Sequence, residues 1–207
     1  MKVSWKHVTR RMSVACCSIL LIVLLAACGG GGSGSSSVTP TPKPPTPTPT
    51  PAVTMQQYTG AKFSISYPQG WQESASGNQV TFVDPVSKNV MTIVTVENPG
   101  GAQSSSALAD ATLPLIEKTL LSDGKTATVA ATATVAGETW AQRSATGGLA
   151  LTDPGVQGTL MMLIANHPAS APDTKAYEIY YYGPTATFTQ ATTLAFQPML
   201  QSFKFTA

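Results

Sequence analysis

From Gly29 to Pro51 the chain contains almost nothing that could be buried. Residues 29–37 are only Gly and Ser, a flexible tether. Residues 39–51 alternate Pro with Thr, with Lys43 as the one charge. Proline fixes φ and removes backbone donors, so this stretch is expected to be an extended polyproline-like spacer, about 40 Å long at ~3.1 Å per residue. A passive stalk is the simplest reading. The sharper alternatives are a proline ligand for a partner domain and an O-glycosylated stem on the threonines, and composition tests neither. Any fold must be built from the roughly 150 residues that follow, enough for one domain with its own core.

The residues before the spacer have three physical parts. Lys2, Lys6, Arg10 and Arg11 make a positive start, and residues 14–25 are almost wholly apolar. That stretch is shorter than the about 20 residues that cross a hydrocarbon core. Small residues Ala26 and Ala27 then precede Cys28. This arrangement, ending in Leu25-Ala26-Ala27-Cys28, resembles a bacterial lipoprotein signal peptide with its lipobox. The resemblance implies cleavage between Ala27 and Cys28 and diacylglycerol on the Cys28 sulfur. The mature chain would then be tethered to the extracytoplasmic face of a cell membrane. The resulting division is a signal peptide over 1–27, a lipidated cysteine and linker over 28–54, and one domain over 55–207. An ordinary secretory leader with a coincidental cysteine, or an uncleaved anchor, are the alternatives. Arg10-Arg11 hints at twin-arginine export, but Ser13 stands where such leaders carry an apolar residue, which favours general secretion.

Cysteine usage agrees with export. Cys16 and Cys17 would leave with the leader and lipid would occupy Cys28, so the domain has no thiol, disulfide or thiolate metal site. Four of the 12 Lys+Arg also leave, whereas all 10 Asp+Glu lie beyond Cys28, giving the mature form a formal charge of −2. No basic patch remains to bind nucleic acid by counterion release. Charged residues make up 11% of the chain, against about 25% in typical domains, so the surface is expected to be rich in hydroxyls.

Hydrophobic periodicity gives a mixed fold. Lys62–Tyr67 alternates Phe63, Ile65 and Tyr67 against serines, as a half-buried strand does. Gln79–Val83 reads as a second strand. Asn89–Glu97 reads as a third, apolar on both faces and hence central. Ser104–Leu121 has helical spacing and serines to cap it, with Pro114 expected to kink it or mark its true start. Ser122-Asp123-Gly124 reads as the turn that closes it. Ala127–Val135 alternates like a strand, and Ala136-Gly137 turns into a partner over Glu138–Ala145, read as an edge strand carrying Trp140. Gly158–Ala165 is apolar on both faces, Ala176–Tyr182 is a further strand, and Phe188–Phe203 carries an apolar stripe at helical spacing.

Three segments of this domain resemble PsbP-like proteins. Phe63-Ser64-Ile65-Ser66-Tyr67-Pro68-Gln69-Gly70-Trp71 is similar to their opening strand and turn, and Phe82-Val83-Asp84-Pro85 to their second strand. Phe196-Gln197-Pro198-Met199-Leu200-Gln201-Ser202-Phe203-Lys204-Phe205 is similar to their last helix and terminal strand. The resemblance implies an α+β fold, an α/β/α sandwich with an antiparallel sheet of about six strands covered by helices. It also implies non-enzymatic roles in assembling partner complexes. Its motifs are structural and carry no chemistry.

A search for chemistry finds little. His167 is the one histidine after the leader and has no obvious companions in sequence. Asp84-Pro85 and Asp153-Pro154 are explained as turns. Ser122 and Lys125 have the Ser-x-x-Lys spacing of penicillin-binding enzymes, but they read as a turn and not as a helix start. No phosphate loop, dinucleotide fingerprint or nucleophile elbow occurs. No catalytic residue, metal ligand or cofactor is assigned. The remaining lead is aromatic: Trp71, Trp140, Tyr180 and Tyr182 as a binding patch, with Tyr181 pointing the opposite way from its neighbours.

The expected function is therefore a membrane-anchored, extracytoplasmic, non-catalytic module that binds or helps assemble an envelope partner. One alternative is a carrier of a small apolar or glycan ligand, with a pocket lined by aromatics and by Met161 or Met162. Another is a hydrolase whose site gathers His167 with Asp84 or Asp153 from distant parts of the chain.

Overall fold

Strands with apolar side chains on both faces have to be covered twice, and this requirement organises the domain. The computed structural model describes residues 53–206; the leader, Cys28 and the linker up to Ala52 lie outside the described residues. In chain order the elements are β1 (Met55–Thr59), β2 (Phe63–Pro68), β3 (Gln72–Ser76), β4 (Gln79–Val83), β5 (Val90–Glu97), α1 (Ser105–Leu120), β6 (Leu121–Ala127), β7 (Thr132–Val135), β8 (Glu138–Leu149), β9 (Gln157–His167), β10 (Lys175–Pro184), α2 (Thr185–Ala191), a π-helical turn (Thr192–Phe196), α3 (Gln197–Ser202) and β11 (Lys204–Phe205).

The fold is α+β and every strand pairing among the described residues is antiparallel. The large sheet runs β3-β4-β5-β10-β9-β8-β6, with β7 also paired to β8, making eight strands where about six were expected. A separate sheet has the order β1-β2-β11. The additional strands were hidden by composition. β3 reads Gln-Glu-Ser-Ala-Ser and is exposed at every position, so it has no apolar period to detect. β1 is likewise mostly polar. Both exist because a neighbour offers them hydrogen bonds.

Side chains alternate across β9 and β10. Leu163, Ala165, Tyr177, Ile179 and Tyr181 join the core on one face, with Phe82, Trp140, Phe196, Met199 and Phe203. Leu160, Met162, Ile164 and Tyr182 join the other, with Ala109, Leu113 and Leu120 of α1. Helix α1 thus covers one face. The run α2–π–α3 and the small sheet cover the other.

Several local expectations are corrected. Ser122-Asp123-Gly124 does not close α1 with a turn: Leu121 is already extended and the chain passes directly into β6, which has an irregularity between Ser122 and Lys125. Ala127–Val135 is not one strand: Ala127 ends β6, opposite Ser144, and Thr132–Val135 forms the separate β7. β8 is not an edge. β9 pairs with residues 141–148 on one side and β7 and β6 pair on the other; Trp140, paired to β7, is fully buried in the core, and its indole N–H donates to the Val135 carbonyl at 3.1 Å. Pro114 lies inside a continuous α1 on an exposed position, where the carbonyl it cannot satisfy, that of exposed Asp110, can meet water. The closing helix is interrupted by the π turn, in which the Gln197 N–H bonds back five residues to Thr192. That turn immediately precedes Pro198, whose ring would crowd the Leu194 carbonyl in a regular α-helix.

One acidic group is buried in the sheet. Glu178, on β10, is 9% exposed on the face that α1 covers. Burial raises its pKa above the ordinary 4.5, with the nearby Thr112 hydroxyl pulling the other way. A carboxyl with a higher pKa folded than unfolded binds protons more tightly in the native state, so stability falls as pH rises through the raised value. The Glu178→Gln variant is expected to be more stable than the parent at about pH 7.5 and equal to it at about pH 4, measured as thermal midpoints across pH. Trp140→Ala is expected to cost about 3–5 kcal/mol of unfolding free energy in urea titrations, because nothing is free to fill the space.

Candidate functional site

The chemistry-bearing side chains collect at the ends of the large sheet because its centre is filled with apolar groups. At one end, β5 and β9 finish and β10 begins. Their registers set Glu97 opposite Lys175 and Lys175 opposite His167. Cross-strand partners share a face, and His167 continues the row to Glu138 at the start of β8. His167 Nδ1 lies 2.7 Å from Glu138 Oε1, and Lys175 Nζ donates to Glu97 Oε1. The row Glu97–Lys175–His167–Glu138 thus alternates in sign when His167 is protonated.

The small sheet closes over this row. Phe205 of β11 stacks on the imidazole, ring centres 3.6 Å apart and 5° from parallel. Tyr177 meets both rings edge-on and donates its hydroxyl to the Lys62 carbonyl at 3.4 Å. Burial, and then the Glu138 charge, push the Tyr177 hydroxyl above its ordinary pKa. Beside the row lies an open cleft of about 260 Å³ lined by Tyr58, Lys62, Phe63, Gln79, Glu97 and Lys175 among others. Its polar groups are largely engaged: Asn78 Nδ2 donates to the Thr95 carbonyl at 2.7 Å and Gln79 Nε2 to Thr81 Oγ1 at 3.2 Å.

His167 therefore has companions that sequence order did not reveal, since Glu138 and Phe205 lie 29 and 38 positions away. They are not those the hydrolase reading named. Asp84 follows β4 at the opposite end of the sheet, and Asp153 lies in the turn before β9, also away from His167. Ser122 and Lys125 share a shallow cleft, but on a strand, with Ser122 Oγ donating to the Gly148 carbonyl at 3.3 Å. Among the described residues no three His, Cys, Asp or Glu side chains gather as metal ligands would.

The four aromatic residues do not form one patch. Trp140 is buried in the first core, and Trp71 packs half-buried at its margin, edge-on to Phe196 at 5.9 Å. Tyr180 and Tyr182 belong to the other face, Tyr180 partly exposed and Tyr182 buried enough to push its hydroxyl up to about 12. Tyr181 does point away from them, into the first core. Of the methionines named for a carrier pocket, Met162 is fully buried in the second core and Met161 packs against the first. Neither lines a cleft described here. Among the described residues no helix is long and apolar enough to cross a membrane.

The class defined by this geometry is an α+β domain with an antiparallel sheet buried on both faces. No protein-family pattern matches the chain, and no curated protein matches it in sequence. Among solved structures it is similar to LpqN, involved in cell envelope biogenesis of Mycobacterium tuberculosis. The TM-score is 0.50 and the identity 11%, over 74% of this chain and 92% of that one. It also has some likeness to the Ran-binding protein Mog1p of Saccharomyces cerevisiae, with a TM-score of 0.45 and 13% identity, over 74% of this chain and 96% of that one. The likeness to LpqN is one of fold.

If the stack on Phe205 and the bond to Glu138 hold β11 in place, His167→Ala should loosen that strand selectively. Amide exchange at Lys204 and Phe205 is expected to quicken while the β5–β10 ladder is unchanged, measured by hydrogen–deuterium exchange.

Proposed function

We propose that this chain is a membrane-anchored extracytoplasmic lipoprotein whose PsbP-like domain is a non-catalytic binding or assembly module for an envelope partner. The observation that carries the non-catalytic part is the mutual pairing of groups capable of chemistry. His167 is engaged by Glu138, Lys175 by Glu97, and Arg143 by Asp110 at 2.7 Å. Exposed pairs of this kind add little stability; a carboxylate on Nδ1 would also suit a catalytic base, but Phe205 covers the imidazole face and, among the described residues, no hydrogen bond joins the ring to a hydroxyl or thiol as acyl transfer needs. The anchor rests on Cys28 and the residues before it, and the long Gly/Ser and Pro/Thr spacer suits a domain held away from a membrane surface. The fold likeness to an envelope biogenesis protein supports an envelope setting.

Two measurements test this. The native protein should fractionate with membranes and carry a diacylglycerol-modified N-terminal cysteine by mass spectrometry, while Cys28→Ser should release it; a free thiol on a membrane-independent protein would overturn the anchor. Crosslinking in intact cells should then recover a defined envelope partner. Recovery of none, together with turnover that is lost in His167→Ala, would replace the binding role with an enzymatic one.

A further inference from the structure

At the end of the large sheet opposite the ionic row lies a second cleft, of about 260 Å³. Its innermost polar group is Asn89, 4% exposed at the threshold of β5. Asn89 lies over Gly183 of β10, and the missing side chain there makes the room: a Cβ on Gly183 would sit 2.1 Å from Asn89 Oδ1. That Oδ1 is buried and has no hydrogen-bond donor among the described residues. A native fold rarely leaves a buried acceptor unmatched, and such an atom calls for an explanation, commonly a water or a ligand.

The other lining residues narrow what that ligand can be. Trp71, half-buried on the turn after β2, supplies an aromatic surface. The turn between β4 and β5 supplies Asp84 and Ser87, and α2 supplies Thr187 and Gln190. Asp84 spends Oδ1 within its own turn, accepting from the Val86 N–H at 2.9 Å, which leaves it a second acceptor oxygen. No Lys, Arg or His lines the cleft, and the Asp84 carboxylate opposes an anion, so phosphate and carboxylate ligands are disfavoured. A wholly apolar ligand would strip water from the polar groups and return nothing. Calcium takes roughly six to eight oxygen ligands, and the cleft offers a single carboxylate. What fits is a neutral molecule with an apolar face and hydroxyls around its edge, each of which both donates and accepts.

We infer that this cleft binds the ring of a neutral sugar, Trp71 packing against its C–H face and Asp84, Asn89 and Gln190 hydrogen-bonding its hydroxyls. Asn89 meets such a hydroxyl through its Nδ2, because its Oδ1 is enclosed against Gly183. The inference gives a ligand class to the binding role proposed above but rests on the chemistry of the cleft: anchoring through Cys28 can fail while sugar binding holds, and the reverse.

The test titrates the full chain, kept in a detergent without a sugar headgroup, with a panel of neutral mono- and disaccharides and with glucose 6-phosphate. Calorimetry measures affinity and tryptophan fluorescence reports the site. Of the chain's three tryptophans Trp140 is fully buried, so Trp71 is the expected reporter, and the Trp71→Phe variant separates its signal from that of Trp5. At least one neutral sugar should bind saturably and change the fluorescence. Gln190→Ala, at an exposed helix position, should weaken that binding about tenfold, the factor for one lost hydrogen bond, without moving the thermal midpoint. Trp71→Phe, which keeps an aromatic ring against Phe196, should abolish the fluorescence change. No saturable binding of any neutral sugar, equal affinity in the Gln190→Ala variant, or tighter binding of glucose 6-phosphate than of its neutral parent would each overturn the inference.

Discussion

Strands β9 and β10 carry apolar side chains on both faces, and the rest of the domain is placed by the need to cover them. Leu160, Met162 and Ile164 require α1 on one side, while Leu163, Tyr177, Ile179 and Tyr181 require Phe196, Met199, Phe203 and the small sheet on the other. Fully burying one such side chain contributes about 1.5–3 kcal/mol. No cysteine lies beyond Cys28, so no disulfide can supplement this packing in the domain. The interlocked aromatics fit that demand: Trp140 meets Phe203 edge-on and Phe205 nearly face-on, and Phe63 stacks on Phe203.

A sheet sealed on both faces leaves its polar chemistry to its ends. Where the strands run out, backbone and side chains meet water again, and the ionic row and the two clefts of about 260 Å³ lie there. Glu178 is the exception, an acid held within the sheet with its pKa raised by burial. The two ends differ in character. One gathers paired acidic and basic groups beside stacked rings. The other gathers neutral polar groups and one carboxylate beside Trp71, around an acceptor left without a donor.

Much of this was legible wherever a side-chain period was strong. Phe63–Tyr67, Gln79–Val83 and the doubly apolar runs of β5 and β9 announced their strands, and the serine cap and leucine spacing announced α1, where Ser104 Oγ accepts from the Ala107 N–H. The signal failed where pairing replaced periodicity. β1 and β3 are polar strands formed by neighbours, and β6 begins without a turn because its backbone finds β8 at once. Trp140 was read as an edge residue because strand order cannot be seen in strand sequence. The aromatic set dispersed for the same reason, two members to each face. Of the groups around Asn89, Trp71 and Asp84 stood out in sequence. Gly183 and Gln190 did not, because a glycine that makes room and a glutamine at an exposed helix position carry no local pattern.

The chain's own order of residues determined what has to be buried and what cannot be. It made β5 and β9 internal. It removed disulfides from the means of holding the domain together, because these are properties of composition and of short-range period. Tertiary structure alone decided who meets whom: His167 with Glu138 and Phe205, Glu178 with α1, Asn89 with Gly183. Such pairings depend on strand register and on the order of strands in the sheet, and both are fixed by the collective packing of two cores and by no single segment.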